Sequence, residues 1–282
     1  GGQLKVYSYE AMYEYIGRDY QVVGNQGLMK DRQGVSLRNG LTLATQSLQL
    51  LLSRYNDNVR GDELFPQIVN HQGTLDYSFS KFPKVPLGLS YQKSLQESSR
   101  EPPNTLPTRL STDTVTGRIG YNLERWMFNF QTTYSLMDDQ TAANNDSSSI
   151  TLTFSPSYNI PRISIVPSFS FNQSKSHLTD VRTDTYTGTL DFRSKFFREK
   201  ASFDVGGTYN VIRASDDSAN SQTLNANIRL AYQIKNYFTD FLNPTIAIRG
   251  TFNKVVDKVN PSLEVEEYTL FLVLTAAPLF SF

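Results

Sequence analysis

The 282-residue chain carries two histidines and no cysteine, so its stock of catalytic and metal-binding groups is small. A histidine beside a hydroxyl and a carboxylate can drive acyl transfer. His71 is followed by Asp76 and Ser78, and His177 by Asp180. Neither stands in a motif of known catalytic spacing. The lack of cysteine excludes disulfides, thiolate metal sites and thiol nucleophiles together, and two distant histidines do not make a metal site. No cofactor is expected, because the glycine-bearing runs GVSLRNG and DVGGT lie inside alternating segments rather than between a strand and a helix. The larger reserve of chemistry is a set of charges within otherwise polar rows: Arg38, Asp76, Arg118, Glu124, Asp191, Arg193, Lys195, Asp204, Arg229, Arg249 and Glu267. What these charges can do depends on the elements that carry them.

Those elements are strands. In TLNANIRLAYQI, Leu224, Ala226, Ile228, Leu230, Tyr232 and Ile234 alternate with Asn225, Asn227, Arg229, Ala231 and Gln233. A period of two means a strand with unlike faces. The same alternation runs through ASFDVGGTYNV, ITLTFSPSYN, WMFNFQTTYSL, VTGRIGYNL, ISIVPSFSF, YTGTLDFRSKF, TIAIRGTF and YTLFLVLTAAPLFSF. No segment sustains a helical period, and SLQLLLSRY also reads as a strand between two others.

Strands are expected to begin near Gln3, Gly34, Ser47, Gly73, Leu87, Thr114, Trp126, Ser148, Ile163, Thr183, Ala201, Gln222, Pro244 and Leu263. The breaks alternate in length. Long polar loops such as GRDYQVVGNQGLMKDRQ, QESSREPPNTLPTRLSTD and MDDQTAANNDS follow the odd strands, and turns such as TQ, ER, NIPR and FREK follow the even ones, KNYFTDFLN alone being longer. Long loops at one end and short turns at the other suit an up-and-down antiparallel sheet closed into a membrane barrel.

Placing the short turns at a lower end gives every aromatic on the apolar rows a height. Tyr91, Tyr134, Phe171, Tyr186, Tyr209, Phe252 and Tyr268 fall at the upper end; Phe79, Trp126, Tyr158, Phe196, Tyr232, Phe280 and Phe282 fall at the lower. Between them lie mostly Leu, Ile, Val, Ala and Gly. Two aromatic bands around an aliphatic belt form a girdle, since amphipathic rings favour an interface. The rise from Trp126 to Tyr134 spans roughly 20 Å along the membrane normal at a tilt near 40°, against an apolar band of about 25 Å.

The chain thus resembles a bacterial outer-membrane β-barrel of the porin-like class, and its end, YTLFLVLTAAPLFSF, is similar to that class's terminal β-signal. Phe282 is last, with Phe280, Ala276, Leu274, Leu272 and Leu270 at alternate positions. The resemblance implies a single transmembrane barrel domain over residues 1–282, located in the bacterial outer membrane. It further implies lipid and lipopolysaccharide around the barrel and recognition of the last strand by the barrel-assembly machinery. Some barrels of this class are enzymes that use His with Ser or Asp near the outer rim; His71 and His177 fall near that rim on different strands, without a matching motif, and no enzyme is expected.

Fourteen strands give a backbone radius of roughly 14 Å and a channel on the order of 10 Å wide. The inward residues are short and polar, so the lumen is expected to be wet and to pass small polar solutes passively or with mild selectivity. Six basic and five acidic residues in the charged set argue against strong ion selectivity. Arg229 and Arg249, with Arg193 and Lys195 two strands away, are expected to form a basic strip facing Asp76 and Glu124, or else ladder salt bridges with Asp204. The loop with Pro102, Pro103 and Pro107 is the candidate constriction or docking surface, and Pro156 with Pro167 marks an expected bulge or weakened seam. The alternative function is an export conduit or membrane anchor of a larger polysaccharide or protein secretion assembly, with a periplasmic or surface partner.

Composition bounds the rest. With 27 basic and 27 acidic residues, nothing favours nucleic acid as a partner. The longest apolar run, LFLVLTAAPLF, falls short of the roughly 18–20 residues of a transmembrane helix. The start, GGQLKVYSYE, lacks the regions of a secretory signal, so none is expected in the chain as given.

Overall fold

The computed structural model describes residues 1–4, 6–17, 31–103, 105–141, 143–234 and 242–278. It is an all-β, up-and-down antiparallel protein. Fourteen long strands and a three-residue β1 follow one another in sheet order as in sequence. They are β1 (Gly2–Leu4), β2 (Tyr7–Ile16), β3 (Arg32–Leu43), β4 (Gln46–Asp57), β5 (Gln67–Phe79), β6 (Leu87–Arg100), β7 (Arg109–Leu123), β8 (Trp126–Asp139), β9 (Ser147–Ile160), β10 (Ile163–Ser176), β11 (Arg182–Phe196), β12 (Ala201–Ala214), β13 (Asn220–Gln233), β14 (Leu242–Asp257) and β15 (Val265–Pro278). A short 3₁₀ turn, Pro261–Leu263, precedes β15.

Two compact units divide the chain. One comprises Gly1–Ile119, Gln131–Ile150 and Ser174–Asp180; the other comprises Gly120–Phe130, Thr151–Gln173 and Val181–Phe282. Within each, period two turns alternate side chains to opposite faces, so a fixed register gathers the apolar residues on one side. In the second unit Tyr209 opposes Leu224, Val205 opposes Ile228, and Ile228 opposes Gly250. In the first, Leu41 opposes Leu48, which opposes Tyr77, which opposes Leu89.

The exposure of the two faces is the reverse of a water-soluble sheet. Apolar-face residues stand open, with Leu89 55% and Ile228 45% exposed, while polar-face Thr116 and Ser157 are 8% and 5% exposed. Among the described residues no large side chain is fully buried. The accessible surface is 19413 Å², against about 12,000 Å² for a compact globular protein of this mass.

The polar face is stitched by side-chain rungs. Thr116 meets Thr133 at 3.0 Å, Ser155 meets Ser168 at 2.9 Å, Asn172 donates to Thr151 at 2.7 Å, and Thr187 donates to Asn210 at 2.9 Å. These rungs also correct the expected bulge at the prolines. Ser155–Ser168 above and Ser164–Asn159 below keep a single β9–β10 register, which sets Pro156 directly opposite Pro167 in two uninterrupted strands. The irregularity lies elsewhere, at Gln67 and Ile68, where β5 shifts register against β6.

Candidate functional site

Ten of the eleven charges singled out in the sequence lie on strands of the polar face. Arg38 opposes Glu10, with 3.8 Å between their charged groups. Asp76 sits between Gln49 and Ser90, and Arg118 opposes Gly88 and donates to Gln131 at 3.3 Å. Asp191 opposes Gly206, Lys195 opposes Ser202, and Glu267 opposes Asn253. Glu124 departs from the expected mid-strand place. It occupies the two-residue turn between β7 and β8 with a left-handed φ of 50°, because the alternation of β7 ends at Leu123 and the chain must reverse there.

The densest cluster belongs to the second unit. Arg193, Asp204, Arg229 and Arg249 occupy one transverse row on four consecutive strands, each directly opposite the next. Asp204 bridges two of them, with its carboxylate oxygens 3.0 Å from Arg193 and 3.7 Å from Arg229. The row therefore joins the two sequence expectations, a basic strip and a ladder salt bridge. One carboxylate pairs with two of the three guanidiniums, and among the described residues Arg249 has no ion pair. Like charges directly opposite each other on a sheet repel, and the Nε of Arg229 is buried without a hydrogen-bond partner. The row is positive and its donors are not exhausted, so it can engage carboxylate or phosphate oxygens.

Several of the aromatics singled out in the sequence pair with one another across neighbouring strands. Trp126 and Tyr158 lie 4.9 Å apart with their rings tilted at the turn end, and Phe171 and Tyr186 lie 5.0 Å apart toward the loop end. Phe196, Ala201, Tyr232 and Ile246 form one lower row, and Phe252 opposes Tyr268 above. Tyr134 is exposed on β8. Tyrosine hydroxyls reach away from the aliphatic belt: Tyr209 donates to Gln222 at 3.0 Å, Tyr77 to Gln46 at 3.1 Å, and Tyr91 to Asp113. Such a ring keeps its body apolar and its tip polar. Phe280 and Phe282 lie outside the described residues, as do residues 235–241 of the KNYFTDFLN turn and 18–30 of the first long loop. The terminal strand holds its register through Pro278, opposite Leu242.

The histidines do not assemble the chemistry their neighbours suggest. His71 stands opposite Arg54 and Leu95 on the apolar face, whereas Asp76 and Ser78, at odd spacings from it, point to the other side of the sheet. Its near carboxylate is Glu97, at 3.9 Å. The second histidine, His177, meets Ser148 at 3.1 Å, but Asp180 is engaged by Lys175 at 2.6 Å. That ammonium's hydrogen bond holds the loop carboxylate of Asp180 below its ordinary range.

The proline-bearing loop of residues 101–108 closes on itself. Thr105 donates to the Pro102 carbonyl at 2.8 Å, the Thr108 amide donates to Ser98 and Glu101, and Leu106 is exposed. Sequence reasoning missed a set of charged pairs on the apolar face near the loops. Arg54 opposes His71, Lys93 opposes Asp113 with 2.9 Å between them, and Glu97 opposes Arg109. The signal was present as charges falling on the apolar phase of β4 to β7.

No protein-family model matches the chain, and no curated protein does. Among solved structures it is similar to CdiB from Acinetobacter baumannii, at 10% identity and a TM-score of 0.41 over 96% of this chain and 66% of that one. The ferric citrate transporter FecA follows at 9% and 0.45 over 88% and 51%, so the chain spans about half that protein's length. Pseudomonas aeruginosa OpdK with vanillate gives 10% and 0.36 over 97% of both chains. At these scores none of them assigns the chain a family.

Proposed function

We propose that the chain is a channel of the bacterial outer membrane, a transmembrane β-barrel whose water-filled lumen passes small polar solutes. The observation that carries this reading is the inverted exposure of the sheet. An open face of leucine, isoleucine, valine and aromatic residues needs an apolar solvent, and a sheltered face of Ser, Thr, Asn, Gln and charge needs water. Lipid satisfies the first and a lumen the second.

In this reading the polar-face charges line the pore, and the row Arg193, Asp204, Arg229 and Arg249 orients negatively charged groups of a passing solute along one wall. The aromatic rows sit at the two membrane interfaces. The last strand is the segment that the assembly machinery engages.

Recording in planar bilayers tests the function. The purified protein is expected to give stepwise conductance, reduced in graded fashion by sugars of increasing size as they fill a lumen on the order of 10 Å wide. Absence of stepwise conductance at every voltage and salt concentration overturns the open pore.

A further inference from the structure

The polar face of the first unit carries a small pocket toward the loop end of β2 to β5. Its volume is about 260 Å³, just below the roughly 300–1,000 Å³ of pockets that take drug-sized ligands, so it has room for one small solute. Two transverse rows build it. Glu14, Gly34 and Tyr55 oppose one another on β2, β3 and β4, and in the next row below Ser36, Ser53 and Gln72 do so on β3, β4 and β5. Arg32 stands above Gly34 on the same face. A Cβ on Gly34 would stand 2.6 Å from Tyr55 Cβ and 2.8 Å from the Arg54 carbonyl oxygen, so only glycine lets Tyr55 approach as it does. The Arg32 guanidinium lies over that tyrosine ring, 4.0 Å from its centroid. Held flat against a ring, a guanidinium keeps its donors in a fixed fork. Those donors are under-used: Nε is buried without a hydrogen-bond partner, and Glu14 lies 3.9 Å away, too far for a hydrogen bond. The rungs found elsewhere on the polar face are missing as well. Ser36 and Ser53 face each other, yet among the described residues neither they nor Gln72 is in a side-chain hydrogen bond.

We infer that this pocket binds the zwitterionic head of a free α-amino acid with a small or polar side chain. The inference rests on the pore reading and names a class of solute for it. The carboxylate docks on Arg32 and the ammonium on Glu14. Being one carbon apart, the two groups fit side by side across the 3.9 Å gap, closing a ring in which every charge has opposite charges on both sides. Charge-assisted hydrogen bonds of this kind are about twice as strong as neutral ones. The side chain of the solute then lies over Ser36, Ser53 and Gln72, whose hydroxyls and amide can donate or accept. A phosphate or other dianion is repelled by Glu14 and by Asp57, which stands directly opposite Arg32. A neutral sugar supplies no counter-charge to either group.

Saturation-transfer NMR on the detergent-purified full chain, titrated with L-alanine, propionate, ethylamine and glucose, tests it. L-Alanine is expected to bind at least tenfold more tightly than propionate or ethylamine, which each keep one of its two charges, and more tightly than glucose. Glu14→Gln should weaken L-alanine to the level of propionate, while propionate itself binds no worse than to the wild type. Arg32→Gln should weaken it to the level of ethylamine, with ethylamine unchanged. The retained analogue shows in each case that the variant is folded, and Lys258→Gln on a loop should alter nothing. L-Alanine bound no more tightly than propionate or glucose, or no saturable signal from L-alanine, overturns the site. So does a Glu14→Gln protein that keeps the wild-type preference for L-alanine over propionate. Conductance of the same preparations separates the two claims. A wild type that binds L-alanine without conducting refutes the pore alone, and one that conducts without binding it refutes the site alone.

Discussion

Asp204 holds two guanidiniums apart from mutual repulsion, and a third, Arg249, stands opposite Arg229 with no ion pair among the described residues. Replacing Asp204 by Asn keeps the shape and removes the negative charge from the row. The expected result is a reversal potential shifted toward anions under a salt gradient. Thermal stability should fall by about 0.5–1 kcal/mol, the scale of a like-charge contact on a sheet. An unchanged reversal potential would mean that solutes do not pass this wall. Sequence placed Arg229 and Arg249 at similar heights, but the direct opposition of four residues depends on the register that the turns impose. A pattern of charges cannot supply that register. For His71 the strand's reach back to Gln67 is what makes the odd spacing to Asp76 and Ser78 decisive, since it puts them on the opposite face.

At the scale of elements, the loops show how much order polar residues can build. Asn58 takes a left-handed φ of 44°, and its amide donates to the Asp62 and Phe65 carbonyls at 2.8 Å while accepting from the Asp62 amide at 2.7 Å. Asn58→Ala should loosen residues 58–66 by about 1–3 kcal/mol, the cost of leaving such groups unsatisfied. Limited proteolysis would then nick this loop while the strands stay intact; resistance equal to wild type would show that the amide is dispensable. The loop of residues 101–108 is self-contained, so replacing residues 102–106 by two glycines should leave unit conductance unchanged. A marked rise in conductance would instead make it the constriction. Strand starts were most legible where turns are short. Trp126, Ile163 and Ala201 begin β8, β10 and β12 as alternation predicts. At the loop end β9, β11 and β13 begin within two residues of Ser148, Thr183 and Gln222, whereas two starts departed: β5 begins at Gln67 and β7 at Arg109, several residues before the expected Gly73 and Thr114. There both faces turn polar above the apolar belt, and the two-residue period that marks a strand fades. The single strand expected from Gln3 divides into the short β1 and β2, which pair with each other.

For the whole molecule, a mean hydropathy of −0.39 and balanced charge describe a water-soluble chain only if the apolar residues share a core. They do not. In each unit large apolar side chains stand open on one face of the strands, and among the described residues no large side chain is fully buried. The absence of cysteine makes this directly measurable, since any introduced thiol is unique. Asn227→Cys and Ile228→Cys are neighbours on β13 that point to opposite faces. In reconstituted membranes, the account predicts rapid reaction of Cys at 227 with a membrane-impermeant thiol reagent. A fluorophore on Cys at 228 should be quenched by lipid-borne nitroxide. Equal reactivity of the two, or the reverse pattern, would contradict it.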